Sequence, residues 1–204
     1  IIKSYGVAKD MHIIPTGIDI EKFYKKNYTE EERKELRKSY GVEDDEFLCV
    51  YIGRVAREKS IDYLIESFSK IEDEKIKLLI VGKGPELEDF KEFAKKFNFG
   101  NRVVFSGEVS YEKVPIYYQI GDLFLNASIS ETQGLTFIEA MASEIAISAR
   151  FDDNLKEMFI DRKAGLLYKD TDEFLENIKT LKNNKELVRE LKENALAISH
   201  EFSA

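Results

Sequence analysis

Asp122-Leu123-Phe124-Leu125-Asn126-Ala127, followed closely by Glu131-Thr132-Gln133-Gly134-Leu135-Thr136-Phe137-Ile138-Glu139, is the stretch that decides the fold. The opening run is apolar and of strand length. The second segment sets a glycine turn before a helix-forming run and brackets both with carboxylates. This order reads as strand, tight turn, helix, and in an open α/β sheet such a turn is where a ligand meets the carboxyl ends of the strands. A helix amino terminus offers backbone N–H groups and the positive end of its dipole to a phosphate. Carboxylates on either side can hold hydroxyls. The pattern fits a ligand with phosphate at its centre and polyols at both ends, the layout of a nucleotide-sugar.

The same alternation extends in both directions. Phe47–Ile52 is a continuous apolar run, Ile76–Val81 reads as the next strand, and 103–105, 145–149 and 165–168 read as shorter strands, the last edge-like. Between them, Ser60 can cap a helix with Ile61, Leu64, Ile65 and Phe68 on one face. Further helices are expected from Pro85 to about Asn98 and over 110–119, 135–143, 172–182 and 185–199. Thr29-Glu30-Glu31-Glu32 is a capping-box start for a polar helix ending near Tyr40-Gly41. Near the beginning, His12 to Asp19 reads as a short strand running into a Pro/Gly turn. Strands alternating with helices of this length imply a parallel sheet covered on both faces, an α/β, Rossmann-like doubly wound architecture.

The 204 residues suffice for a domain with a real core, and 43% hydrophobic with 34% charged content argues against disorder. No stretch approaches the ~20 apolar residues of a membrane span, and Ile1-Ile2-Lys3-Ser4 is not followed by the long apolar region expected of a signal peptide. The net charge of −8 argues against binding nucleic acid and against strong anchoring to anionic membranes. Cys49, the one cysteine, lies inside an apolar run and reads as a buried core thiol. With two histidines it cannot build a conventional zinc site, and no metal is expected.

Four loops follow the strands. Gly53-Arg54-Val55-Ala56-Arg57-Glu58-Lys59 combines a glycine that lets backbone approach a ligand with two cations, Arg54 and Lys59, suited to a diphosphate; the plainer reading is a pair of solvated surface charges. Gly82-Lys83-Gly84-Pro85 lacks the third glycine of a dinucleotide fingerprint, where Leu87 stands, and reads as a turn into a Pro-started helix. Ser106-Gly107-Glu108-Val109 either sets backbone against a nucleobase or is an ordinary turn. In the fourth, Gln133, Gly134 and Leu135 would present N–H groups, Glu139 would hold a ribose diol, and Glu131 would face the sugar. The alternative is a helix-dipole glutamate plus a surface glutamate.

On these segments the chain resembles the C-terminal, donor-binding domain of retaining glycosyltransferases with the GT-B fold, the group that includes sucrose, glycogen and glycolipid-forming enzymes. The matching residues are Ile14-Pro15-Thr16-Gly17-Ile18-Asp19, Gly53-Arg54 with Lys59, Val81-Gly82-Lys83-Gly84-Pro85, Val104-Phe105-Ser106-Gly107, and Glu131 to Glu139 with Ala140-Met141-Ala142-Ser143. The resemblance implies that Arg54 and Lys59 bind the donor diphosphate and, with Glu131, form the catalytic set. It implies that Glu139 holds the ribose, and that Glu131 and the Gln133, Gly134 and Leu135 backbone position the sugar. Gly53, Gly82 and Gly107 are the further binding positions. The two glutamates then act as a clamp on the donor rather than as general acid and base. The donor would be a UDP- or GDP-sugar and no cofactor is implied. The acceptor, a sugar, polysaccharide or lipid, would be bound by an N-terminal domain. Residues 1–23 would be the inter-domain linker and first strand, and 24–204 the donor domain, cut before its final crossover helix, so the chain by itself would be inactive. The enzyme would be cytoplasmic, with the full-length protein at the inner face of the membrane.

Within that group, Glu131-Thr132-Gln133-Gly134-Leu135-Thr136 and Arg150-Phe151-Asp152-Asp153-Asn154-Leu155 look closest to bacterial enzymes that glycosylate diacylglycerol lipids. A nucleotide-sugar epimerase and a binding module without catalysis are the other readings. One departure stands out. The family carries glycine and proline where this chain has Glu144 and Ala146, and a left-handed conformation at 144 would cost glutamate ~1 kcal/mol.

Overall fold

Phe47–Ile52, apolar without interruption, forms β1 and lies inside a six-stranded sheet. The structure is a computed structural model and describes residues 17–129 and 134–203. The other strands are β2 Ile76–Val81, β3 Val103–Gly107, β4 Leu123–Asn126, β5 Ala146–Arg150 and β6 Leu166–Tyr168. Every pairing is parallel and the order is β3-β2-β1-β4-β5-β6. The chain therefore winds outward in one direction through β2 and β3, returns to the middle, and winds outward in the other. β1 and β4 lie side by side at the reversal, with Cys49 opposite Leu123.

Alternate residues of the central strands feed two apolar cores. Leu48, Val50, Leu79, Val81, Phe124 and Ile147 face one side, and Cys49, Tyr51, Leu78, Ile80, Leu123 and Leu125 face the other. The first core is covered by α4 Val114–Ile120 and α5 Leu135–Ala142, the second by α2 Ile61–Phe68, α3 Leu87–Ala94 and α6 Thr171–Asn183. The last helix, α7 Lys185–Ser199, contributes Leu191 to one and Ala195 and Ile198 to the other. Each fully buried Leu, Ile or Phe supplies about 1.5–3 kcal/mol of driving force, so the continuous apolar strands require both layers. Cys49 is wholly buried as expected, and burial pushes its thiol pKa up.

α1, Glu30–Ser39, begins with the anticipated capping box: Glu32 N–H donates to the Thr29 hydroxyl, and Thr29 N–H donates to the Glu32 carboxylate. Its Arg37 donates to the carbonyls of Ile120 and Glu46 at 2.6 Å each and pairs with Asp122 at 3.2 Å, while Asp122 accepts from Leu48 N–H at 2.7 Å. One guanidinium thus ties together the amino ends of β1 and β4.

Several boundaries differ from the sequence expectation for identifiable reasons. Ser60 precedes α2 but makes no side-chain cap, because it is left-handed (φ +50°) at the end of a single 3-10 turn, Arg57–Lys59. The helix expected over 110–119 divides into a 3-10 turn, Tyr111–Lys113, and α4, since Pro115 has no N–H to continue an earlier helix and fits a first turn. α3 starts at Leu87 rather than at Pro85 and ends at Ala94. A 3-10 turn at Asp153–Leu155 and a π turn at Glu157–Asp161 carry no apolar period and were not anticipated. The strand expected from His12 falls largely outside the described residues.

Glu144 is left-handed, with φ +53°. It occupies the position after the α5 C-cap in a complete Schellman motif: Glu144 N–H donates to Met141 O at 3.1 Å and Ile145 N–H to Ala140 O at 3.4 Å. The geometry that glycine adopts freely is forced here on a residue with a Cβ. Glu144→Gly is expected to stabilise the fold by about 1 kcal/mol, read as an increased urea midpoint with unchanged slope; a destabilised variant contradicts the strain.

Candidate functional site

Because β1 and β4 carry the chain to opposite sides, the loops leaving them diverge and open a cleft at the carboxyl edge of the sheet. Its volume is about 610 Å³, and it is lined by Gly53, Arg54, Gly82, Lys83, Gly84, Val109, Tyr111, Thr136 and Glu139 among others.

The floor is built from backbone. Beyond the strands themselves the ladder continues: Gly53 N–H donates to Val81 O (3.0 Å), Val55 N–H to Lys83 O (2.8 Å), and Gly82 N–H to Gly107 O (3.1 Å). A Cβ on Gly82, whose φ is +137°, would overlap the Gly53 carbonyl, and one on Gly84 would overlap the Val55 carbonyl. The Gly82-Lys83-Gly84 segment is therefore a close backbone approach to the exit of β1, more specific than a turn into a Pro-started helix. The buried Tyr51 hydroxyl supports the other side by donating to Arg54 O at 2.8 Å.

Thr136 and Glu139, three apart on α5, both face the cleft. Glu139 lies in the second turn of that helix, slightly deeper than its sequence position suggested. It is only 8% exposed. The Tyr118 hydroxyl donates to its Oε2 at 2.9 Å and the Tyr111 hydroxyl to its Oε1 at 3.4 Å. Burial raises the carboxyl pKa above the ordinary value, while the two phenols oppose that rise. A surface glutamate serving only the helix dipole is ruled out by this environment.

The cations are arranged differently. Arg54 lines the cleft with its side chain 65% exposed and pairs with Glu58; Lys83 lines it from the β2 loop and pairs with Glu108. Exposed pairs of this kind are worth about 0–1 kcal/mol, so an anionic ligand could compete for either cation. Lys59 closes the 3-10 turn, half-buried, and is not among the lining residues. Gly134 is left-handed (φ +60°) and starts α5, accepting from Phe137 N–H at 2.8 Å, with half-buried Leu135 next to it. Gly107 (φ +73°) lies at the end of β3 and anchors Gly82 rather than lining the cleft. Glu131 and Gln133 lie outside the described residues. Tyr111, Tyr118, Thr136 and Lys83 were not singled out from sequence. Nothing in a helical run such as Val114–Ile120 tells which tyrosine will face a carboxylate on the neighbouring helix.

A parallel sheet of this order, with its cleft at the reversal, defines a Rossmann-like α/β protein. Residues 32–197 match the model of the family Glycosyl transferases group 1, and the chain belongs to that family. Among curated relatives, the alpha-monoglucosyldiacylglycerol synthase of Acholeplasma laidlawii is 36% identical over 90% of this chain and 46% of its own length. The Streptococcus pneumoniae protein of the same name is 35% identical over 82% of this chain and 38% of its own length. The chain thus spans less than half of these relatives. In fold it is similar to Anabaena HepE, solved in complex with UDP and glucose (TM-score 0.80, 21% identity, covering 92% of this chain and 52% of that one). It is also similar to the C-terminal domain of a Francisella tularensis group 1 glycosyl transferase (TM-score 0.75, 22% identity, covering 91% of this chain and 97% of that one). The architecture matches GT-B glycosyltransferase structures, and no helix among the described residues is long and apolar enough to cross a membrane.

Two outcomes test the site's construction. Gly84→Ala is expected to lose roughly 2–3 kcal/mol of stability by urea unfolding, since the displaced neighbour is backbone; a loss under ~0.5 kcal/mol would contradict the close approach. For Glu139, a folded-state pKa above the unfolded value of about 4.3 gives stability that is complete below that pH and lost as pH rises through the folded pKa. Relative to Glu139→Gln, the wild type should therefore fall in melting temperature as pH rises from about 4 toward neutrality. A flat difference would refute the raised pKa.

Proposed function

We propose that the cleft binds a nucleoside diphosphate sugar and that the chain is the donor-binding half of an enzyme that transfers a hexosyl unit with retention of configuration. The observation that carries this reading is Glu139: a nearly buried carboxylate, held by phenol donors, facing a cleft at the strand reversal beside the start of a helix. A carboxylate so close to a bound diphosphate is tolerable only if it accepts hydrogen bonds from hydroxyls, and a ribose diol supplies two. The HepE complex with UDP and glucose, of the same fold, supports a uridine nucleotide as the first candidate.

In this reading the diphosphate lies over the Gly53–Arg54 turn and the amino end of α5. The first N–H groups of a helix lack intrahelical partners and carry its positive dipole. Gly134 and Leu135 bring that end forward. Arg54 and Lys83, which line the cleft, supply positive charge, Lys59 adds its charge from the adjoining 3-10 turn, and Gly53, Gly82 and Gly107 keep the backbone close. As the glycosidic bond to phosphate breaks, negative charge accumulates on the departing diphosphate, and preorganised donors of this kind stabilise it. Glu131 and Gln133 are assigned to the sugar end. The acceptor is assigned to a further domain, which in the full-length protein would approach the cytoplasmic membrane face if the acceptor is a lipid, as the names of the two synthases suggest. Residues 24–204 are assigned to the donor domain.

Calorimetry with UDP tests the assignment. Hydrogen bonds to a charged group contribute about 1.5–3 kcal/mol, so Glu139→Ala should weaken UDP roughly ten- to hundredfold. Unchanged affinity removes Glu139 from the site. Thermal shift against UDP-glucose, UDP-galactose, UDP-GlcNAc and GDP-mannose identifies the donor, because the ligand bound by the native state raises the melting point.

A further inference from the structure

The two phenols on Glu139 are not equivalent. Tyr118, on α4, is wholly buried, and its ring is fixed edge-on between Phe23 (centroids 6.1 Å apart, planes at 65°) and Phe124 (5.4 Å, 62°). Its hydroxyl lies 2.9 Å from Glu139 Oε2 and 3.3 Å from Thr136 O. One proton serves one main acceptor, and the shorter, charged acceptor takes it. Burial and the nearby Glu139 charge both push the phenol's own pKa up, so it keeps that proton. Tyr111, by contrast, is 54% exposed, and its hydroxyl is 3.4 Å from Oε1, at the long limit of a hydrogen bond.

This asymmetry has a consequence for recognition. A carboxylate that receives two hydroxyls of a cis-diol must hold its plane; one that turns about its last torsion meets them one at a time. Tyr118 holds Oε2 from a wholly buried position, while Oε1 carries only the long contact to the exposed Tyr111. Tyr111 is the contact a ligand hydroxyl can replace. We propose that Tyr118 is a positioning residue that orients the Glu139 carboxylate for a ribose diol and thereby sets the preference of the cleft for ribo- over deoxyribonucleotides. The inference rests on the assignment of Glu139 to the ribose. It places specificity in a side chain that never touches the ligand, through preorganisation.

The experiment compares calorimetric affinities of UDP, 2′-deoxy-UDP and 3′-deoxy-UDP for the wild type, Tyr118→Phe and Tyr117→Phe. Tyr117 lies on the same helix, but its hydroxyl meets Tyr40 at 2.9 Å. It therefore controls for loss of a phenol hydroxyl from α4. The wild type should prefer UDP over each deoxy analogue by roughly tenfold or more. Tyr118→Phe should compress both preferences severalfold while the deoxy analogues bind nearly as before, and Tyr117→Phe should leave both intact. A general loosening of the fold would weaken all three ligands together. Tyr118→Phe that keeps the wild-type ratios, or weakens all three ligands equally, overturns the inference and leaves the Glu139 assignment standing. A wild type that binds UDP and its deoxy analogues equally, or none of them, overturns both.

Discussion

Strands β1, β2 and β4 are buried on both faces, and this constraint organises everything else. Val50, Leu79 and Phe124 serve one core, and Cys49, Leu78 and Leu123 the other. Between the layers apolar side chains dominate, so most polar chemistry gathers at the strand ends. At the amino ends the polar groups are spent on structure: Arg37 and Asp122 tie β1 to β4. At the carboxyl ends the loops are freed, because the reversal of winding sends the connections from β1 and β4 apart. The cleft is a product of that topology before any side chain is considered.

Its walls show two ways of bringing charge and backbone close to a ligand. On one side the loops after β1 and β2 are bonded to each other and to the end of β3, which requires the missing Cβ atoms of Gly82 and Gly84. That side offers backbone. On the other side α5 brings Glu139 out of water, a cost that the Tyr118 and Tyr111 hydroxyls offset only in part. The cations Arg54 and Lys83 stay at the surface, each engaged by a nearby carboxylate. Among the described residues the site thus holds the Glu139 carboxylate with phenol donors and leaves its cations in exposed ion pairs. This suits a ligand whose polyol is recognised by geometry and whose phosphates are drawn by charge.

Much of the fold was legible in the chain. Phe47–Ile52 and Ile76–Val81 were bounded to the residue, since a strand-length apolar run ending in glycine has few alternatives even with Lys77 inside the second, and the Thr29–Glu32 capping box was read from four residues. Legibility failed where conformation follows from neighbours distant in sequence. Ser60 looked like a cap and is instead a left-handed residue leaving a 3-10 turn. Gly82-Lys83-Gly84-Pro85 looked like a helix start and is instead a close approach to another strand's carbonyls. At the site, Glu139 and Arg54 were found from their places after strands. Tyr118 was not, because the partner it serves is 21 residues away on another helix. Glu131 and Gln133 remain expectations from sequence.

The sequence by itself determined the order of strands and helices, the double covering of the sheet, and the loop positions at which ligand chemistry could occur. These follow from apolar period and from glycine placement, which act locally along the chain. It also carried the mark of local strain, in a glutamate at a position that its helix ending turns left-handed. Only the tertiary structure decided which residues share the cleft, that Glu139 is buried between two phenols, and that Lys83 rather than Lys59 lines the cavity beside Arg54. Those facts depend on how α4 and α5 pack across the reversal and on how closely three loops approach, distances that the spacing of residues along the chain does not encode.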